Sequence, residues 1–147
     1  MLHLHLAFLI PYKLSLLHIL VKVGQKVLVN EKIADSSAFV SAPIHSSVSG
    51  TVKDIREIQS INGSNTQAII IENDSKYEKY PSENLKYSSE LSLKDVVKLV
   101  KDYGIVGLGG ATFPCHVKLN IPEDKAIKYI IINAAECEPY LLSLIHI

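Results

Sequence analysis

Gly104-Ile105-Val106-Gly107-Leu108-Gly109-Gly110-Ala111-Thr112-Phe113-Pro114 is the stretch on which the reading of this chain depends, and it places four glycines within seven positions. A backbone without Cβ atoms approaches a ligand closely and takes φ values that other residues avoid. Successive N–H groups in such a loop can converge on an anion. No Gly-Lys-Ser/Thr follows, so the run is not a P-loop. Gly107 and Gly109 fit the first two positions of a dinucleotide fingerprint, but Thr112 takes the third. The preceding element also reads as a helix, where that fingerprint needs a strand. By itself the run serves equally well as an anion cradle or as a glycine-rich turn.

The flanks shift that balance. Upstream, Ser92-Leu93-Lys94-Asp95 has the form of a capping box, and Leu93, Val96, Val97 and Val100 recur at the spacing of one apolar helix face. Gly104 then stands where a helix end favours a residue tolerant of positive φ. Downstream, Lys118 is placed to neutralise phosphate charge as a mobile ammonium. Tyr129-Ile130-Ile131-Ile132 is a short, continuous apolar run, which predicts a strand buried on both faces of an α/β sheet. Asn133, Glu136 and Glu138 follow at its carboxyl end, where ligands of open α/β sheets gather. Together these features suggest the wall of a nucleotide pocket.

The amino-terminal half has a different texture. Val21, Val23, Val27 and Val29 alternate around a Gly24-Gln25 turn, and the segments 48–55 and 68–72 read as further strands. Asn62-Gly63-Ser64-Asn65 supplies a hairpin turn between them. A small all-β unit is expected over 21–75, then an exposed polar linker over 76–91, then the helix and glycine run within 92–147. Val23-Gly24-Gln25-Lys26-Val27, Ala42-Pro43-Ile44 and Ser49-Gly50-Thr51-Val52 resemble the barrel-sandwich hybrid pattern of biotinyl and lipoyl carriers. A carrier needs a lysine on its exposed hairpin, and none lies between Lys32 and Lys53. A structural or docking module is therefore expected. His45, alone in a turn, reads as a hydrogen-bonding residue.

Bulk properties exclude several classes. The 147 residues carry 15 basic and 15 acidic side chains, which leaves no electrostatic footprint for nucleic acid. Cys115 and Cys137 form no CxxC unit and are too few for an iron–sulfur cluster, and the pattern suits a reducing compartment. No metal-ligand set is seen. Residues 1–20 are apolar but include His3, His5, Pro11, Lys13 and His18, which count against a membrane span, and they lack the marks of a signal peptide. They are left unassigned, with an origin outside the gene left open, and the last residues, 142–147, have the same look.

The glycine run, with His116-Val117-Lys118-Leu119 and Asn133-Ala134-Ala135-Glu136-Cys137-Glu138-Pro139-Tyr140, closely resembles the C subunit of the Rnf-type electron transport complex. Phe39-Val40-Ser41-Ala42-Pro43-Ile44-His45 and the residues after it resemble that subunit's amino-terminal β domain. A more distant likeness runs to the NADH-binding flavoprotein subunit of respiratory complex I. The resemblance implies a peripheral subunit on the cytoplasmic face of a membrane complex that passes electrons between NADH and ferredoxin or a related carrier, coupled to ion transport. It implies FMN and NADH as cofactors, with Gly107, Gly109, Gly110, Lys118 and Asn133 at the flavin. Glu136 and Glu138 would be the acidic pair of the flavin and nicotinamide pocket.

Departures accompany the likeness. Leu108 stands where the complex I relatives have arginine and Ala135 where they have aspartate, which favours the Rnf reading; Cys115 stands where threonine is expected. The cysteine motifs for the two 4Fe-4S clusters of full-length Rnf C subunits are absent, so the chain reads as a fragment that would not turn over alone. The fold expected is a barrel-sandwich hybrid domain followed by the start of an α/β FMN- and NADH-binding domain. The alternatives are a non-catalytic docking module built on the β unit, and an electron-transfer protein of an amino-acid reductase system.

Overall fold

A computed structural model of the chain describes residues 4–8, 17–59, 63, 65–81, 91–107, 112–122, 125, 127–129 and 131. Its strands are β1 (Leu4–Phe8), β2 (Leu17–Ile19), β3 (Lys26–Val27), β4 (Lys32–Ser36), β5 (Ile44–His45), β6 (Gly50–Gln59) and β7 (Asn65–Asn73). Two helices follow, α1 (Leu93–Asp102) and α2 (Cys115–Leu119).

The β6–β7 hairpin organises the first unit. Its strands pair antiparallel from Gly50↔Asn73 to Gln59↔Asn65, and a bulge gives β6 one extra residue, Lys53, between Val52 and Asp54. Bulges of this kind bend a strand and increase its twist. With β1 on one side and β3 on the other, the hairpin makes a four-stranded sheet in the order β1-β7-β6-β3. A second sheet has the order β2-β4-β5. One core joins them: Ile33 and Ala34 of β4 pack with Val21, Val27, Val48, Val52, Ile69 and Ile71. Each such valine or isoleucine side chain withdrawn from water contributes roughly 1.5–3 kcal/mol. The sheets form an open sandwich and not a closed barrel.

Residues 1–20, left unassigned by the sequence, include β1 and β2, each the outer strand of a sheet. Their pairing partners are 60 or more residues away for β1 and about 17 for β2, so local pattern gave little sign of them. Turn chemistry is closer to expectation. Gln25 N–H bonds to the Lys22 carbonyl, and Gly24 takes φ 85° at the position where a type II turn calls for glycine.

The start of the polar connector lies on the surface with its backbone tied down. Val29 N–H bonds to the Glu78 carbonyl and Tyr80 N–H to the Val29 carbonyl, while the Ser49 hydroxyl donates to Asp74 Oδ1 at 2.6 Å. Ser92 caps α1 through both halves of a capping box with Asp95. At the other end Gly104, at φ 65°, donates to Lys101 and Ile105 donates to Val100, the paired bonds of a Schellman motif.

One expectation is corrected at the carboxyl side. Tyr129 and Ile131, read as part of a doubly buried strand, are 85% and 92% exposed and lie in no strand. A strand buried on both faces needs paired neighbours and covering helices, and among the described residues none stands beside this run. Ile130 and Ile132 lie outside the described residues. No helix among the described residues is long and apolar enough to cross a membrane.

Candidate functional site

The glycine run leaves α1 through Gly104 and returns to the protein at Pro114, and its two ends are bound to each other. Gly107 N–H donates to the Phe113 carbonyl at 2.9 Å and Cys115 N–H to the Ile105 carbonyl at 3.0 Å. Val106 and Pro114 form an antiparallel bridge between those bonds. The result is a loop with a closed mouth. Thr112, on its returning side, holds φ 43°, a left-handed value unusual for a β-branched residue.

Lys118 stands over this mouth. It is exposed on α2, with Nζ 5.8 Å from the centre of the Phe113 ring. A Cβ added at Gly107 would sit 3.9 Å from Lys118 Nζ and 3.7 Å from the Phe113 carbonyl oxygen. Gly107 thus keeps open a space beside a cation. Its N–H already serves the mouth, so what it offers a ligand is close approach. An anion the size of a phosphate suits that combination of an ammonium and an uncrowded backbone.

Of the residues singled out by sequence, Gly107 and Lys118 are brought together. Gly109, Gly110, Asn133, Glu136 and Glu138 lie outside the described residues. His45 is placed against the end of α1: a Cβ at Gly104 would come within 3.2 Å of its Nδ1 and 2.7 Å of the Pro43 carbonyl oxygen. Burial, reinforced by Lys32, pushes its imidazole below the usual value of 6.5, while a hydrogen bond with the Asp102 backbone and the charges of Asp35 and Asp102 pull the other way.

The sequence reading assigned no role to the seam between the β unit and the loop. Lys32 Nζ lies 3.3 Å from Asp35 and 3.7 Å from Asp102 of α1. On α2, the buried His116 points Nε2 at the Phe39 carbonyl, 3.1 Å away. In the sequence His116 stands alone between Cys115 and Val117, and local pattern cannot tell such a residue's distant partner.

A groove of about 800 Å³ lies apart from the loop, between α1 and residues 119–122. Leu93, Val97, Leu119, Ile121 and Pro122 line it with lysines from α1 at its side, and none of its described lining residues comes from the glycine run.

Comparisons with known proteins agree along the chain. Residues 14–76 match the family described as the RnfC barrel sandwich hybrid domain, and residues 100–143 match the Nuo51 FMN-binding domain. The first match begins inside the stretch 1–20, which the sequence reading had set apart. The C subunit of a proton-translocating ferredoxin:NAD(+) oxidoreductase complex from Clostridium ljungdahlii is 48% identical over 125 residues, 82% of this chain and 27% of that protein. Its counterpart in Acetobacterium woodii, named for a Na(+)-translocating complex, is 41% identical over 87% of this chain and 29% of its own length. The C subunit of an ion-translocating oxidoreductase complex from Haemophilus influenzae is 33% identical over 84% of this chain and 19% of its own length. The chain thus spans under a third of the length of these relatives. With a barrel-sandwich hybrid domain preceding an FMN-binding segment, in the order and at the identity of those proteins, the chain belongs to the family of Rnf complex C subunits.

Proposed function

We propose that this chain forms the flavin-phosphate end of a peripheral electron-transfer subunit in a membrane complex that couples electron flow between NADH and ferredoxin, or a related carrier, to ion translocation. The observation that carries the reading is the closed loop mouth with Lys118 over a glycine that leaves room for a ligand. The names of the relatives and the match to an FMN-binding domain support it.

In this proposal the chain divides into a β unit over 21–75, a linker over 76–91 and an FMN- and NADH-binding segment over 92–147. Lys118 holds the FMN phosphate by charge, and Gly107, Gly109 and Gly110 let it approach the backbone. Asn133, Glu136 and Glu138 line the flavin and nicotinamide pocket. The flavin, when bound, supplies the hydride and single-electron chemistry, and the protein supplies binding and orientation. The two 4Fe-4S clusters belong to the longer relatives' type of chain, and the site of action is the cytoplasmic face of the membrane.

The test is an FMN titration, followed by flavin fluorescence, on this chain continued at its carboxyl end by the remainder of the Clostridium ljungdahlii relative. Lys118→Ala is expected to weaken binding by about tenfold or more, the worth of a charge-assisted hydrogen bond, and Lys118→Arg to retain most of it. An absence of FMN binding with Lys118 and Glu136 intact would instead favour a docking module in which the glycine loop is structural.

A further inference from the structure

The flavin-phosphate reading gives no task to the buried ring of His116. The residue is 4% exposed and sits on α2 two positions before Lys118. Its Nε2 is 3.1 Å from the Phe39 carbonyl oxygen, and its ring meets the Phe39 ring edge-on, with centroids 6.3 Å apart at 78°. Because a carbonyl only accepts, Nε2 carries the proton and Nδ1 is a bare acceptor. That Nδ1 is buried with no hydrogen-bond partner among the described residues.

A buried acceptor left unpartnered is unfavourable, and an apolar ring of similar size would avoid the cost. What the imidazole adds over such a ring is one bond, and that bond crosses from the loop-bearing segment to the β unit. Its acceptor lies in the turn between β4 and β5, the same turn that lacks the lysine a carrier would need. Among the described residues the neighbouring strip of the β unit also meets the segment at Gly104, through Pro43 and His45, and at Asp102, through Lys32 and His45. Those two contacts secure the side of the loop that leaves α1. His116 secures the side that returns.

We infer that His116 is a positioning residue: its bond to Phe39 registers α2, and with it Lys118 and the Phe113 side of the loop mouth, on the β4–β5 turn. The β unit is thereby the buttress of the anion site. The consequence for a ligand rests on the flavin-phosphate reading; the buttress itself is tested without any ligand.

The experiment uses nuclear magnetic resonance on the 147-residue chain. In the unmodified protein the His116 ring is expected as a single tautomer with its proton on Nε2 and contacts to Phe39; a ring averaging between tautomers would overturn the inference. In His116→Phe, amides of Gly107, Cys115 and Val117 are expected to exchange about tenfold faster, the loss of roughly one neutral hydrogen bond, while those of Val52, Ile69 and Ile71 stay as they were. His116→Gln, whose amide nitrogen reaches about as far as Nε2, is expected to restore most of the protection. Unchanged loop-mouth amides in His116→Phe, or equal loosening of the β core, would contradict a positioning role. FMN titration of the same variants in the carboxyl-extended chain separates the two readings. If no FMN binds to any of them, the phosphate assignment fails while the exchange data still decide the role of His116.

Discussion

A Cβ built on Gly50 would overlap the Glu72 carbonyl oxygen and stand 2.9 Å from its carbon. The obstacle is backbone on the paired strand, which cannot move aside without giving up the register Gly50↔Asn73. Gly50→Ala is therefore expected to destabilise the β unit by about 2–3 kcal/mol, at the upper end of overpacking costs, seen as a lower urea midpoint at unchanged slope. The sequence reads Gly50 as part of a strand segment and of a hybrid-barrel motif, and neither signal reveals its crowded position. Gly104, by contrast, was legible. Its positive φ follows from being the residue just past a helix, and helix ends announce themselves within a few positions. His116 was not legible, because its partner Phe39 is 77 residues away and no local spacing records such a pairing.

Among the elements, α1 depends on its ends. It buries no residue, and Leu93 and Val96 on its apolar face remain exposed, so packing contributes less than in a core helix. Its capping box and Schellman end supply what packing does not. Ser92→Ala is expected to cost about 1 kcal/mol of local stability and to speed exchange of the Asp95 and Val96 amides several-fold, with β6 and β7 unaffected. That helix could be read almost whole from sequence, since period and caps are both local. β6 and β7 are legible only in part, over 50–55 and 68–72, because their outer residues 56–59 and 65–67 are mostly polar and break the apolar pattern. The run from Tyr129 shows where local pattern stops: four apolar residues in a row describe an environment, and Tyr129 and Ile131 do not occupy it here. The outer strands β1 and β2 show the converse limit. An edge strand with scattered histidines declares itself only once its neighbour is known.

For the molecule as a whole, the seam between the two units should respond to pH. His45 sits in it beside Lys32 of β4, Asp35 and the end of α1 at Asp102, and its folded pKa is lowered. The folded protein thus binds fewer protons at this site than the unfolded chain does, and stability rises with pH across the titration. The contribution is complete above about 6.5, the unfolded value, and is lost as pH falls through the lower folded value. Urea midpoints measured from pH 7.5 down to 5 are expected to fall, and His45→Gln is expected to flatten that slope. Asp74 and Asp95 act in a separate, lower window. Hydrogen bonds from Ser49 and Ser92 hold their carboxyls below the usual range, so what they contribute is lost only as pH drops below about 4.

The closed mouth of the glycine loop has a thermodynamic consequence. With Gly107 tied to Phe113 and Ile105 to Cys115, the entropy of bringing those ends together is spent during folding. A phosphate arriving there would not have to gather the ends itself, so its affinity would not be reduced by that ordering cost.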